Sequence, residues 1–253
     1  RTYSSKLKNL ITYINSIEKG NMLCYKFNDT IISDYLDYLR YERKVSARTR
    51  DNYMTFINTL CLWMVSKKYL ASNPCQGFKK TNKKGKTRII IPNAERLKIF
   101  EYYREKNLNY LVMCMTCYYC LVRRTELSKI KVGDVNLDKS TLFISGEDSK
   151  NHRDGIVSIP NELAKLLVKH IQGAKSTDYL FSNDNYATGT IRFKPNKATS
   201  DWSRMRNKIN IDSNIKWYSL KDTGITDLFY VKNMPLISIK NQARHYSIKQ
   251  TEA

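Results

Sequence analysis

Leu111-Val-Met-Cys114-Met-Thr-Cys117-Tyr-Tyr-Cys120-Leu-Val122-Arg123-Arg124-Thr-Glu126-Leu127 is the stretch on which the reading of this chain turns. It is the longest apolar run in the sequence, interrupted by Thr116 and closed by two arginines. It falls well short of the roughly 18 residues needed to span a bilayer. Cysteines spaced by three invite a metal or cluster reading, but the run holds no glycine or proline to fold a ligand loop. The same spacing puts small apolar thiols near one face of a buried helix, which is the reading adopted here. A core helix over 108–122 is therefore predicted, delivering Arg123, Arg124 and Glu126 at its end.

Working outward toward the C-terminus, Ile130-Lys-Val-Gly-Asp134-Val follows directly. Residues 141–145 and 155–159 read as two strands bracketing Glu147-Asp-Ser-Lys150-Asn, a hairpin with a polar tip. Leu163, Leu166, Leu167, His170 and Ile171 mark an amphipathic helix, with His170 a structural residue on its apolar face. Trp202, Met205 and Ile209 suggest another helix, and 221–230 and 235–243 two more. Toward the N-terminus, 94–106 is helical, and residues 1–78 are helical throughout. Leu7, Leu10, Ile11, Ile14 and Ile17 form one stripe; Ile31, Ile32, Tyr35, Leu36 and Leu39 form a second, after an Asp29 or Thr30 cap. Tyr53, Phe56, Ile57, Leu60, Trp63 and Met64 form the third, and Asn73-Pro74 stops that helix. The fold class is thus mostly α with a small β-sheet: a helical bundle at 1–78, a linker at 79–90 and an α+β domain at 91–253.

The linker reads Lys79-Lys80-Thr-Asn-Lys83-Lys84-Gly-Lys86-Thr-Arg88, cations with no anion among them. It is either a solvated charge run or a nucleic-acid clamp. Over all 253 residues, 44 Lys+Arg against 23 Asp+Glu give a net charge of +21. Residues 1–88 carry 18 basic and 6 acidic side chains, so the excess is steepest at that end. A pI near 9.7 argues against a generic metabolic enzyme and asks for a polyanion, nucleic acid before an anionic membrane. Ser46-Ala-Arg48-Thr49-Arg50 opens the third helix with hydroxyls and guanidiniums, and a helix N-terminus favours phosphate. Hydrophobic residues make up 42%, which marks a folding sequence. Six dilute cysteines read as reduced thiols in a cytoplasm and not as a disulfide scaffold. Three histidines are too few for a His-rich metal site. Tyr218-x-x-Lys221 lacks the spacing and the Gly-rich loop of a short-chain dehydrogenase pair.

Four pieces in series carry a specific resemblance: Arg123-Arg124-Thr-Glu126-Leu127, the hairpin-tip Lys150, Tyr218-Ser-Leu-Lys221-Asp222, and Gln242-Ala-Arg244-His245. In that order and spacing they resemble the tyrosine recombinase (phage integrase) family, especially integrases of conjugative transposons and other mobile elements. The likeness runs over nearly the whole chain; the first block resembles the family's core-binding, SAM-like bundle. It implies a site-specific DNA recombinase, double-stranded DNA as partner, no cofactor and no metal. It further implies a homotetramer on paired DNA sites, accessory DNA-bending factors, and no membrane attachment.

Breaking a DNA phosphodiester without a metal requires a nucleophile, cations on the non-bridging oxygens, and an acid for the departing 5′-oxygen. Charge spreading over a phosphorane-like transition state is best held by a planar guanidinium. The resemblance gives that role to Arg123, with Glu126 orienting it. It makes Lys150 the acid of the leaving group and His245 a hydrogen-bond donor to the phosphate. The family's His-x-x-Arg is Tyr218-x-x-Lys221 here, so the second phosphate arginine is replaced by a lysine that keeps the charge and loses the fork. Asp222 falls where many relatives carry a second histidine. Family spacing puts the nucleophilic tyrosine nine residues after His245, immediately beyond Ala253, and Tyr246 stands at the wrong spacing to replace it. The expectation is a chain lacking its nucleophile and inactive in strand cleavage as it stands. Phosphate contacts are expected from Arg48, Thr49, Arg50, Lys79, Lys80, Lys83, Lys84, Lys86, Arg88 and Arg244. The rival readings are a relative that binds DNA without cutting it and, from charge alone, an RNA-binding helical protein.

Overall fold

The computed structural model describes residues 2–81, 88–147 and 152–252. Lys83, Lys84, Lys86 and Lys150 lie outside the described residues. The chain divides into two compact units, Arg1–Lys86 and Thr87–Ala253.

The first unit is built on α1 (Thr2–Ser16), α2 (Asp29–Asp37, running on through a π-helical turn at Tyr38–Glu42) and α3 (Ala47–Ser66). Its core gathers Leu10, Tyr13, Ile32, Tyr35, Leu36, Ile57 and Cys61. The buried face of α1 is centred on Leu10 and Tyr13, whose ring meets Tyr35 at 5.0 Å and Tyr38 at 4.9 Å. Leu7 and Ile11, expected in the first stripe, are exposed because the aromatic contacts rotate that face away from them. Trp63 likewise leaves the third stripe and meets Tyr69 edge-on at the surface. The cap of α2 is Asn28, whose side chain accepts from Ile31 N–H at 3.1 Å, one residue earlier than expected. The end of α3 also differs. It stops at Ser66, where Lys68 takes a left-handed conformation (φ 60°) and Tyr69 N–H bonds back to the Met64 carbonyl. Asn73-Pro74 lies in the following turn, and Asn73 accepts there from Cys75 N–H.

The second unit contains α4 (Asn93–Lys106), α5 (Leu108–Cys120), α6 (Arg124–Leu127), a three-stranded antiparallel sheet, and α7 to α11. The sheet comprises β1 (Val135–Asn136), β2 (Thr141–Ile144) and β3 (Gly155–Ser158), in that spatial order. The register pairs Leu142 with Val157 and Ile144 with Gly155. Leu142, Ile144 and Val157 face the core, while Phe143 and Ile156 face out, the period-2 pattern of a one-sided sheet. The helices after it are α7 (Asn161–His170), α8 (Pro195–Lys208), α9 (Ser219–Tyr230), α10 (Leu236–Ala243) and α11 (Lys249–Glu252).

Helix α5 is the axis of this unit and packs against α4, α7 and α9. Cys114, Cys117 and Cys120 are all free thiols buried in the core. Helix α9 comes so close to α5 that a Cβ at Gly224 would sit 2.1 Å from the Tyr118 carbonyl oxygen. Only glycine fits there. His170 is a packing residue, its ring nitrogens bonded to Asn109 Oδ1 and the Leu180 carbonyl, and burial lowers its pKa.

Candidate active site

The end of α5 creates the site. Leu121, fully buried, takes a left-handed conformation (φ 53°, ψ 30°) that a leucine adopts only at a cost of about 1–2 kcal/mol. The chain thereby turns out of α5, and Arg123 stands extended ahead of α6. Glu126, three residues on, reaches back: its Oε2 accepts the Arg123 backbone N–H at 2.8 Å, and its Oε1 accepts from Arg123 Nη1 at 3.0 Å. One carboxylate thus fixes both ends of the arginine.

Helix α9 brings Tyr218 and Lys221 to the same place, since its first turn packs on α5 beside that exit. Tyr218 lines a cleft of about 270 Å³ together with Arg123, Arg124, Thr199 and Lys216. Burial raises the Tyr218 phenol above its ordinary pKa, and the neighbouring Arg123 offsets part of the shift. Lys221 is 1% exposed, and its Nζ donates to the Ala243 carbonyl at 3.2 Å. Burial, with Arg123 next, takes its ammonium down to about 7. Lys221, expected where the family carries its second phosphate arginine, thus points its ammonium toward the carbonyl that precedes Arg244.

The strand–helix corner of β3 and α10 supplies the third side. Gln242 clips α10 onto the strand, accepting from Ser158 N–H at 3.0 Å and donating to the Ser158 carbonyl at 2.9 Å. Arg244 follows in a left-handed C-cap conformation (φ 51°). Its guanidinium is turned inward and donates through Nη2 to Glu126 Oε2. Arg244, expected among the phosphate contacts, has a side chain only 11% exposed and lies beside Glu126. His245 comes next, half buried, sharing a hydrogen bond between Nδ1 and Thr251 Oγ1 at 3.0 Å. Burial and the cations Lys221, Arg123, Arg88 and Arg244 push its pKa down to about 4, so the imidazole is neutral near pH 7. Glu126 shows the opposite balance. Burial alone would raise its pKa, but Arg244 and Arg123 hold the carboxyl below the usual range.

Arg123, Arg244 and His245 line one cleft of about 290 Å³, which Arg153, Lys240 and Tyr246 also border. Arg88 belongs to this unit as well: it donates to the Gln250 carbonyl at 2.9 Å and lies 3.6 Å from Asp222. In the first unit, Ser46 caps α3 by accepting from Thr49 N–H, Arg48 is exposed, and Arg50 pairs with Asp51 at 3.7 Å. Lys79 and Lys80 are exposed, and Asp51 accepts from both the N–H and the hydroxyl of Thr81. The sequence reading quoted Gln242 in its motif without a role and did not find Thr251 or Gly155 as parts of the site. The only signal available for Gly155 was a glycine at the first position of a strand.

A buried carboxylate bracing two guanidiniums, with an ammonium behind them and a neutral imidazole beside them, is a cationic, hydrogen-bonding arrangement suited to a phosphate. The model of the phage integrase family matches residues 90–253, and the chain belongs to that family. Its activity is therefore that of a tyrosine-class site-specific DNA recombinase. A tyrosine recombinase of Pseudothermotoga lettingae is 24% identical over 261 residues, covering 96% of this chain and 85% of the relative. Among solved structures, the Tn1549 transposon integrase in complex with transposon right-end DNA has a TM-score of 0.77 at 11% identity, covering 99% of this chain and 88% of that one. A lambda integrase dimer bound to a COC′ core site has a TM-score of 0.75 at 13% identity, covering 97% and 89%. Both share the fold.

Proposed function

We propose that this protein cuts and rejoins duplex DNA of a mobile element by transesterification at one phosphodiester per strand. The observation that supports it most is the convergence of Arg123, Arg244 and His245 on one cleft around the buried Glu126. A tyrosine phenolic oxygen attacks the phosphorus as its proton passes to solvent water. The bond to the 5′-oxygen breaks, that oxygen leaves as a hydroxyl, and a 3′-phosphotyrosyl ester remains. Attack by a 5′-hydroxyl reverses the step, so no external energy source is needed. Arg123 holds non-bridging oxygens, and the neutral His245 donates a hydrogen bond to the phosphate. Lys150 is assigned the proton of the leaving group on the family resemblance. The attacking tyrosine is expected nine residues after His245, at the position that follows Ala253.

Residues 1–78 act as the core-binding domain and 79–90 as the linker, and Arg48, Thr49, Arg50 and the linker lysines contact phosphates. The working assembly is a homotetramer on two sites, served by DNA-bending accessory factors. Incubation of the full-length protein with a nicked duplex spanning its recombination junction tests the reading. A covalent protein–DNA adduct on a denaturing gel, lost in Arg123→Ala, is the expected result. Binding without any adduct would leave a DNA-binding protein in place of a recombinase.

A further inference from the structure

A tetrahedral phosphate passing through a phosphorane offers two charged non-bridging oxygens, and one guanidinium fork satisfies them poorly. The sequence offers Lys221 where a second fork would be expected, yet the Lys221 ammonium is enclosed and bonded to the Ala243 carbonyl. Ala243 is the residue immediately before Arg244. The lysine therefore braces the turn that carries Arg244 and does not itself face the cleft.

Three further features are built around the Arg244 side chain. First, Glu126 gives one oxygen to the Arg123 guanidinium and the other to Arg244, so one wholly buried carboxylate orients both forks. Second, the left-handed backbone at Arg244 turns its stem back over β3, while His245, the next residue, borders the same cleft. Third, β3 opens with Gly155 where the stem crosses: a Cβ there would lie 2.5 Å from Arg244 Cδ. A glycine in a strand weakens it and commonly marks a close approach, and here that approach is the arginine's own side chain. Arg123, Arg153, Lys240 and Arg244 at this cleft outnumber Asp154 and the buried Glu126, so its described residues carry net positive charge that an entering phosphate would neutralise.

We propose that Arg244 is a catalytic residue, the second guanidinium on the non-bridging oxygens of the scissile phosphate, with Lys221 as the internal brace that holds it in place. The inference rests on the recombinase reading above. It is tested with the full-length protein and nicked duplexes of its recombination junction that carry either the native phosphate or a methylphosphonate at the scissile position. Wild type must form the adduct on the native duplex; if it forms none, the recombinase reading fails and this inference with it. On native DNA, Arg244→Ala should slow adduct formation by about a hundredfold to a thousandfold, the usual effect of removing one oxyanion donor. On the methylphosphonate, which lacks one charged oxygen, the ratio of wild type to Arg244→Ala should fall below about tenfold, as should that for Arg123→Ala. Arg244→Lys, which keeps a cation on Glu126, should show a smaller defect with the same collapse and serves if the alanine variant does not fold. Equal slowing on both duplexes, or no slowing on native DNA, would overturn the proposal.

Discussion

The two units place their charges in opposite ways. In the N-terminal bundle the cations sit outside: Arg48, Lys79 and Lys80 are exposed, and Asp51 is the only buried charged side chain among its described residues. The C-terminal unit buries Glu126, Lys221, Asp222 and Arg206, and turns Arg123 and Arg244 inward. Exposed cations attract a polyanion over a Debye length and are screened by salt. Enclosed ones act in a low dielectric on one group at short range and need a buried counter-charge to be held there. The first arrangement suits grip along a duplex; the second suits chemistry at one phosphorus.

The sharpest way to break this contrast is to remove the buried anion. Glu126→Gln leaves two guanidiniums and a lysine facing one another, and should cost about 3–5 kcal/mol of stability by urea unfolding. It should also abolish adduct formation. Asp51→Asn keeps one acceptor for Thr81 and can donate to its hydroxyl through the amide, and should cost only about 1 kcal/mol; an equal loss in the two variants would erase the difference between the units. Gly224→Ala drives a methyl group into the Tyr118 carbonyl and should destabilise by about 1–3 kcal/mol, seen as a lower urea midpoint. Gly155→Ala meets a flexible side chain instead, so its midpoint should shift less while cleavage slows with the displacement of Arg244.

Proton linkage separates the units more finely. The folded state holds Lys221 near 7 against an ordinary lysine value of 10.5, so the unfolded chain binds more protons between them. Stability therefore gains from Lys221 as pH rises through that window. The difference in unfolding free energy between wild type and Lys221→Met should change between pH 7 and 8.5, and no slope there would contradict the burial of that ammonium. His245, held near 4 against 6.5, contributes in the same sense between those values. A phosphate at the cleft would raise both groups, so DNA binding near pH 8 should take up protons, measurable by titration in buffers of different ionisation enthalpy. The smallest effects belong to the outer cations. With about six phosphates neutralised, log K should fall against log salt with a slope near −5, and Lys79→Ala or Lys80→Ala should each remove about 0.9 of it. Neither variant should alter the adduct rate at saturating DNA.

The core helix was legible because cysteines at 114, 117 and 120 repeat at helical spacing without a breaker. The sheet was legible from alternation at 141–144 and 155–158, but the two-residue β1 carries too little pattern to see. The outward turn of Leu7, Ile11 and Trp63 was not legible, since aromatic packing between helices decides which of several apolar faces is buried. At the site, the order of Arg123, Glu126, Tyr218, Lys221 and His245 could be read along the chain. The inward course of Arg244 and Lys221 could not, because it depends on Gly155 and Ala243 meeting them from other elements.

The three thiols of α5 have a practical consequence. Burial pushes the Cys120 thiol up to about 12 and raises those of Cys114 and Cys117 as well, so none is a thiolate at neutral pH. An alkylating reagent should label exposed Cys24 at once and reach this trio only when the helix axis opens. The protein thus carries its own clock for the breathing of its C-terminal unit, readable by mass spectrometry without any introduced label.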